Sequence, residues 1–227
     1  MKILNFMKKL FIFFFLFPSV ADAHTFTGMI GYYDGISHPV LGFDHFLAMV
    51  SVGIISAQIG GRAIWSVPLT FVMVMILGGI TGISAETYKG FNEQAVTLDG
   101  LNSLNNFLDY LYLIIEYGII FSVILLGFAI AIKKQIPINI VMIFVAFFGL
   151  CHGTAHGLEM PWAANPILFA LGFASGTAVL HLFGVVIGYF SIKTYFSSLL
   201  LRITGSCFAL YGLYLLFLLS TFHVSSV

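Results

Sequence analysis

The amino-acid sequence predicts an all-α integral membrane protein, with six transmembrane helices after a cleaved signal peptide and with the N-terminus and C-terminus both outside. Three observations carry that expectation. Of 227 residues, 60% are hydrophobic and 8% charged, whereas a soluble domain carries about 25% charged residues. Apolar runs of roughly 20 residues, the length that crosses a bilayer, fit into the mature chain six times. Five of the six mature Lys and Arg residues lie in alternate connections, as in a multi-pass protein oriented by charge. Formal net charge is zero and no basic run occurs, so nucleic acid has nothing to dock on and the lipid bilayer is the expected partner.

Residues 1–23 carry Lys2, Lys8 and Lys9, the apolar run Leu10 to Phe17, and then Pro18-Ser19-Val20-Ala21-Asp22-Ala23. A charged start, a short apolar centre and an Ala-x-Ala site make a secretory signal peptide, too short to span comfortably. Cleavage after Ala23 would leave 24–227 as the six-helix domain. It would also make His24 the new terminus, whose amine and imidazole together offer an auxiliary metal chelate.

Segment one runs from about Ile36 to Ile59, and Gly60-Gly61-Arg62 turns the chain into segment two, about Ile64 to Ser84. Ala85 to Asn106, with Glu86, Lys89, Glu93 and Asp99, is the longest polar stretch and is expected as an external loop, with or without a short interfacial helix. Segment three covers about Phe107 to Ile132 and ends at Lys133-Lys134. Segment four starts after Pro137, a residue tolerated in a first helical turn, and continues to about Leu158. Glu159 to Asn165 connects to segment five, about Pro166 to Tyr189, and segment six runs from about Phe196 to Ser220. Cys151 and Cys207 fall in different apolar segments, so no disulfide framework is indicated.

A cleaved signal places the mature N-terminus outside, and the connections at Arg62, Lys133-Lys134 and Lys193 to Arg202 are then cytoplasmic. They hold five of the six mature Lys and Arg residues, Lys89 being the exception. That agrees with the positive-inside rule. It also puts two histidine clusters on one face of the membrane, the bacterial inner membrane with its periplasmic side. His38-Pro39-Val40-Leu41-Gly42-Phe43-Asp44-His45 opens segment one, and Cys151-His152-Gly153-Thr154-Ala155-His156-Gly157-Leu158-Glu159 closes segment four.

An ionisable side chain in an apolar segment is costly and marks a function by default. His152 and His156, four apart, share a helix face one turn from each other, and Glu159 falls on the same side. Two imidazoles and a carboxylate suit nickel, cobalt or zinc, whereas calcium and magnesium take oxygen. Gly149, Gly153 and Gly157 repeat every four residues and admit another helix closely, which would bring the first cluster within reach. His38 and His45 are seven apart, so one continuous helix would hold them roughly 10 Å apart along its axis, too far for one ion. Either the segment is broken around Pro39 and Gly42, with the break near Pro39 preferred, or His38 belongs to an outer site and Asp44 and His45 to an inner one. Asp44 is either a ligand or the group that orients a ligand imidazole. Glu116 and His181 could carry an ion further inward, and helix packing accounts for either equally well. Cys151, Met49 and Met160 are soft atoms nearby that would favour copper.

At these residues the sequence resembles the HupE/UreJ proteins, hydrogenase/urease accessory membrane proteins that form a family of nickel and cobalt permeases. The similarity lies in His38 to His45 with Leu47-Ala48-Met49 and Val52-Gly53, in His152 to Glu159, and more loosely in Gly172-Phe173 through Thr177-Ala178 to His181-Leu182. It implies that His38, Asp44, His45, His152, His156 and Glu159 recognise metal, and that nickel or cobalt is the cargo, taken up for a downstream metalloenzyme or chaperone. Cys151, where an aromatic residue is expected, departs from the pattern. The residues themselves leave three uses open. These are a divalent-metal transporter, an intramembrane metal hydrolase with Glu159 as general base, and a membrane metal chaperone or sensor. A homo-oligomer is equally open.

Overall fold

The computed structural model describes residues 31–92, 98–132, 136–159 and 165–225. The expected signal peptide, His24 and Lys133-Lys134 lie outside them. Seven helices follow in order: α1 (Tyr32–Leu41), α2 (Phe43–Ile59), α3 (Ala63–Asn92), α4 (Leu98–Ala131), α5 (Ile138–Glu159), α6 (Pro166–Ser191) and α7 (Tyr195–Ser225). Five of them, α3 to α7, are long and apolar enough to cross a membrane.

The first expected segment is not one helix. It is the pair α1 and α2, bent by 85°. Gly42 between them is extended, at φ −74° and ψ 108°. One non-helical residue suffices to redirect the axis. Pro39 stays inside α1, near its end, where it lacks the N–H that would bond back to the preceding turn. Within the first turn of α2, Asp44 Oδ1 accepts from the His45 backbone N–H at 2.9 Å, satisfying one of the N–H groups left without an intrahelical partner. The break therefore falls at Gly42, three residues beyond the proline expected to cause it.

The remaining boundaries follow the turn chemistry. Gly60 and Gly61 both take positive φ, 77° and 56°, which glycine adopts without a Cβ penalty. Pro137 accepts through its carbonyl from Ile140 and Val141 and so starts α5. Asn165 Oδ1 caps α6 by accepting from Ile167 and Leu168 N–H, with Pro166 at the first helical position. Arg202 Nε donates to the Ala131 carbonyl at 2.8 Å and satisfies the end of α4. The polar stretch Ala85 to Asn106 is not the expected loop, because α3 continues to Asn92 and α4 begins at Leu98. A helix leaving the apolar layer keeps its internal hydrogen bonds, and no proline interrupts either flank.

The described residues of the bundle are apolar outside, and their largely apolar interior encloses a small set of polar side chains. Met73, Leu77, Ile114, Phe128, Ile143, Leu182 and Phe217 point outward, while Ser51, Ser122, His152, His156, Thr177 and His181 are buried. Without a hydrophobic drive between helices in lipid, association depends on close packing at small residues. Gly153 and Gly157 of α5 face α3 so tightly that a Cβ on either would overlap the carbonyls of Met75 and Gly79. On α6, Gly172 meets Tyr32 of α1, and Gly184 meets Val50 of α2, in the same way. Gly127 of α4 and Gly205 of α7 form a third such contact. The glycine face of α5 thus docks on α3 rather than on the first cluster. It is α6 that clamps α1 and α2 in place.

Candidate metal centre

The bend at Gly42 resolves the seven-residue spacing of the first cluster. His38 near the end of α1 and His45 at the start of α2 both turn onto His156 of α5, with ring centres 4.5 and 4.6 Å away. His45 also meets His152 at 5.0 Å. Four imidazoles from three helices are thereby gathered at the clamp that α6 makes. With metal–nitrogen bonds near 2.0–2.1 Å and tetrahedral angles, two imidazoles on one ion have ring centres roughly 5 Å apart. The observed spacings match that span.

Two of the rings are already held in a ligand tautomer. His152 Nδ1 lies 2.8 Å from the Phe148 carbonyl, an acceptor only, so Nδ1 carries the proton and the lone pair is on Nε2. His152 Nε2 is buried with no hydrogen-bond partner among the described residues. His45 Nδ1 lies 2.9 Å from Asp44 Oδ1, which likewise directs its Nε2 lone pair away from the carboxylate. Carboxylate or carbonyl on one ring nitrogen and metal on the other is the usual arrangement of a metal-binding histidine. Asp44 thus occupies the orienting position.

The rings still meet edge to face or tilted, at 85° for His38 with His156, 78° for His45 with His152 and 58° for His45 with His156. Among the described residues, no three His, Cys, Asp or Glu side chains are arranged to hold one ion as they stand. Distance is met and direction is not.

Aromatic rings that the sequence did not single out wall the site. Phe173 of α6 stands 4.2 Å from His156, centre to centre, and stacks in parallel with Phe169, which itself touches His38. Phe71 of α3 touches both His152 and His181. The four-residue spacing of Phe169 and Phe173 could have placed them on one face. Phe71 sits in a uniformly apolar run and carries no such signal. Asp34, one turn before His38 on α1, was also missed; its Oδ2 accepts from Gly31 N–H, and its buried Oδ1 has no hydrogen-bond partner among the described residues. A cavity of ≈ 70 Å³ between α3, α5 and α6 reaches His156.

Other expected residues lie apart or beyond description. Cys151 packs with Ile115 and Ile119, and a Cβ built on Gly118 would stand 2.6 Å from its thiol, so the thiol is turned toward α4. Glu116 is half-buried on α4. Glu159 ends α5, and its side chain lies outside the described residues. His181 is buried on α6 behind Phe71.

The chain matches the family described as HupE / UreJ protein over residues 12–100 and 105–215. It is similar to the protein named Protein HupE of Rhizobium leguminosarum bv. viciae, with 34% identity over 200 residues that cover 88% of this chain and 91% of that one. No solved structure matches it.

Proposed function

This chain belongs to the HupE/UreJ family, and on that premise we propose that it is a permease for a divalent transition-metal ion, nickel or cobalt. It sits in the bacterial inner membrane with residues 1–23 removed, the bent pair α1 and α2 counted as one broken span, six spans in all, and both termini outside. The observation that carries the proposal is the run of ring contacts His38–His156–His45–His152, at 4.5, 4.6 and 5.0 Å between successive ring centres. Two of these rings are hydrogen-bonded through Nδ1, which puts the lone pair on Nε2, the nitrogen that would ligate the ion. Asp44 orients His45, and Asp34, one turn before His38, and Glu159, the last residue of α5, are the further carboxylates assigned to metal recognition. Copper(I), which prefers thiolate, finds none at the rings because the Cys151 thiol is turned toward α4.

The site is suited to release as well as capture, since its donors span the right distance without being fixed on one point. Inward movement needs no coupled ion. A membrane potential of 100 mV contributes about 4.6 kcal/mol to a divalent cation, equivalent to a roughly 2,000-fold gradient. His181 then forms the inner end of the path, and the ion passes to a metalloenzyme or its chaperone.

The test is uptake of radioactive nickel and cobalt by proteoliposomes of the purified protein, with zinc and copper as competitors and with the potential on or off. Accumulation driven by an inside-negative potential and abolished by His156→Ala is expected. No flux, with metal retained in stoichiometric amount, would replace the permease by the hydrolase or chaperone.

A further inference from the structure

His181 is 1% exposed, and neither of its ring nitrogens has a hydrogen-bond partner among the described residues. Leaving a buried polar group unsatisfied costs about 1–3 kcal/mol, and such a group calls for a purpose. Phe71 is in ring contact both with His181 and with His152 of the four gathered imidazoles. The Phe71 ring is fully buried and stands edge-on to both neighbours, 5.1 Å from His181 at 90° and 5.5 Å from His152 at 61°. Its backbone is held by α5, since a Cβ on Gly149 would lie 2.8 Å from the Phe71 carbonyl oxygen. With the backbone held, opening requires the side chain to turn about its own torsions.

Building on the permease assignment, we propose that Phe71 is the gate of the ion path, closing His181 as an inner imidazole station off from His152. An ion crossing an apolar gap without ligands would face a prohibitive desolvation cost. His152 removes that requirement, because it is in ring contact with His45 on the outer side and with Phe71 on the inner. When the Phe71 ring swings aside, the ion exchanges His45 and His156 for His181 while His152 stays bound. When the ring returns, the two stations are separated. His152 is thus common to both, and Phe71 sets the rate of transfer between them.

The ion itself reports the transfer. In full-length protein carrying Cys151→Ala and Cys207→Ala, His181→Cys places a thiolate at the inner station, and cobalt arriving there produces a cobalt–thiolate charge-transfer band. The rate of rise after mixing with Co²⁺ is compared with Phe71 intact, in Phe71→Ala, and in Phe71→Leu, which keeps most of the volume should the alanine variant fail to fold. Removing the ring is expected to speed the rise by about threefold or more, and a further His45→Ala is expected to abolish that acceleration. A smaller change in both variants, an acceleration that survives His45→Ala, or no band at all would overturn the gate. Vesicle uptake is not read in this experiment. A wild-type protein that moves no metal therefore refutes the permease separately from the gate.

Discussion

Replacing Asp44 by Asn separates the two roles that a carboxylate beside His45 can play. Asp44 Oδ1 accepts from both the backbone N–H and Nδ1 of His45, each at 2.9 Å. An asparagine carbonyl oxygen can occupy the same position and accept the same two bonds. The variant therefore keeps both bonds to His45 and the ring orientation, and loses only the negative charge that raises the basicity of Nε2. Removing such an outer partner of a metal-bound histidine costs 10–100-fold in affinity, about 1.4–2.7 kcal/mol. Equilibrium binding of nickel and cobalt to the purified variant, by calorimetry or dialysis, measures it directly. The elution profile and thermal midpoint should remain those of the wild type. Unchanged affinity in a folded Asp44→Asn protein would refute the orienting role. A loss far beyond 100-fold would make Asp44 a ligand in its own right.

Two further outcomes follow from the packing. Gly153→Ala should destabilise the protein by about 1–3 kcal/mol or prevent its accumulation, because the added methyl overlaps the Met75 carbonyl, whereas Gly79→Ala, whose Cβ would meet the Gly153 carbonyl at 3.7 Å, should be tolerated; thermal unfolding in detergent compares them. Cys151→Ala should leave nickel and cobalt affinity within about twofold, since the thiol faces Gly118 rather than the imidazoles and carries none of the tenfold that 1.4 kcal/mol of ligation would represent. A clear loss of binding in that variant would return the thiol to the metal.

Much of the site was legible because its residues are anomalous in their setting. A histidine or aspartate in an apolar segment has few uses, and the positions of His38, His45, His152 and His156 with the loop charges place both clusters at one end of the bundle. Even the bend was implied, since His38 and His45 cannot serve one ion on a straight helix. Its position was not, because proline in a last turn is tolerated as long as the lost bond is near the helix end, and a single extended glycine was enough. The partner of the α5 glycines was equally hidden. Small residues every four positions announce that some helix approaches and say nothing of which. The spacing of Gly172, Gly176, Gly184 and Gly188 on α6 carries the same signal, and α6 turns out to be the clamp. Phe71 was illegible for the opposite reason, being one apolar residue among many.

The glycine contacts also decide which parts of the molecule can shift. Where two backbones touch there is no layer of side chains to slide upon, so α3 and α5 behave as one block, and α1, α2 and α6 as another. His152 and His156 belong to the first block, together with Phe71. His38, His45 and His181 belong to the second. Every imidazole pairing across the centre therefore spans the seam, and an ion bound by both blocks would latch them shut.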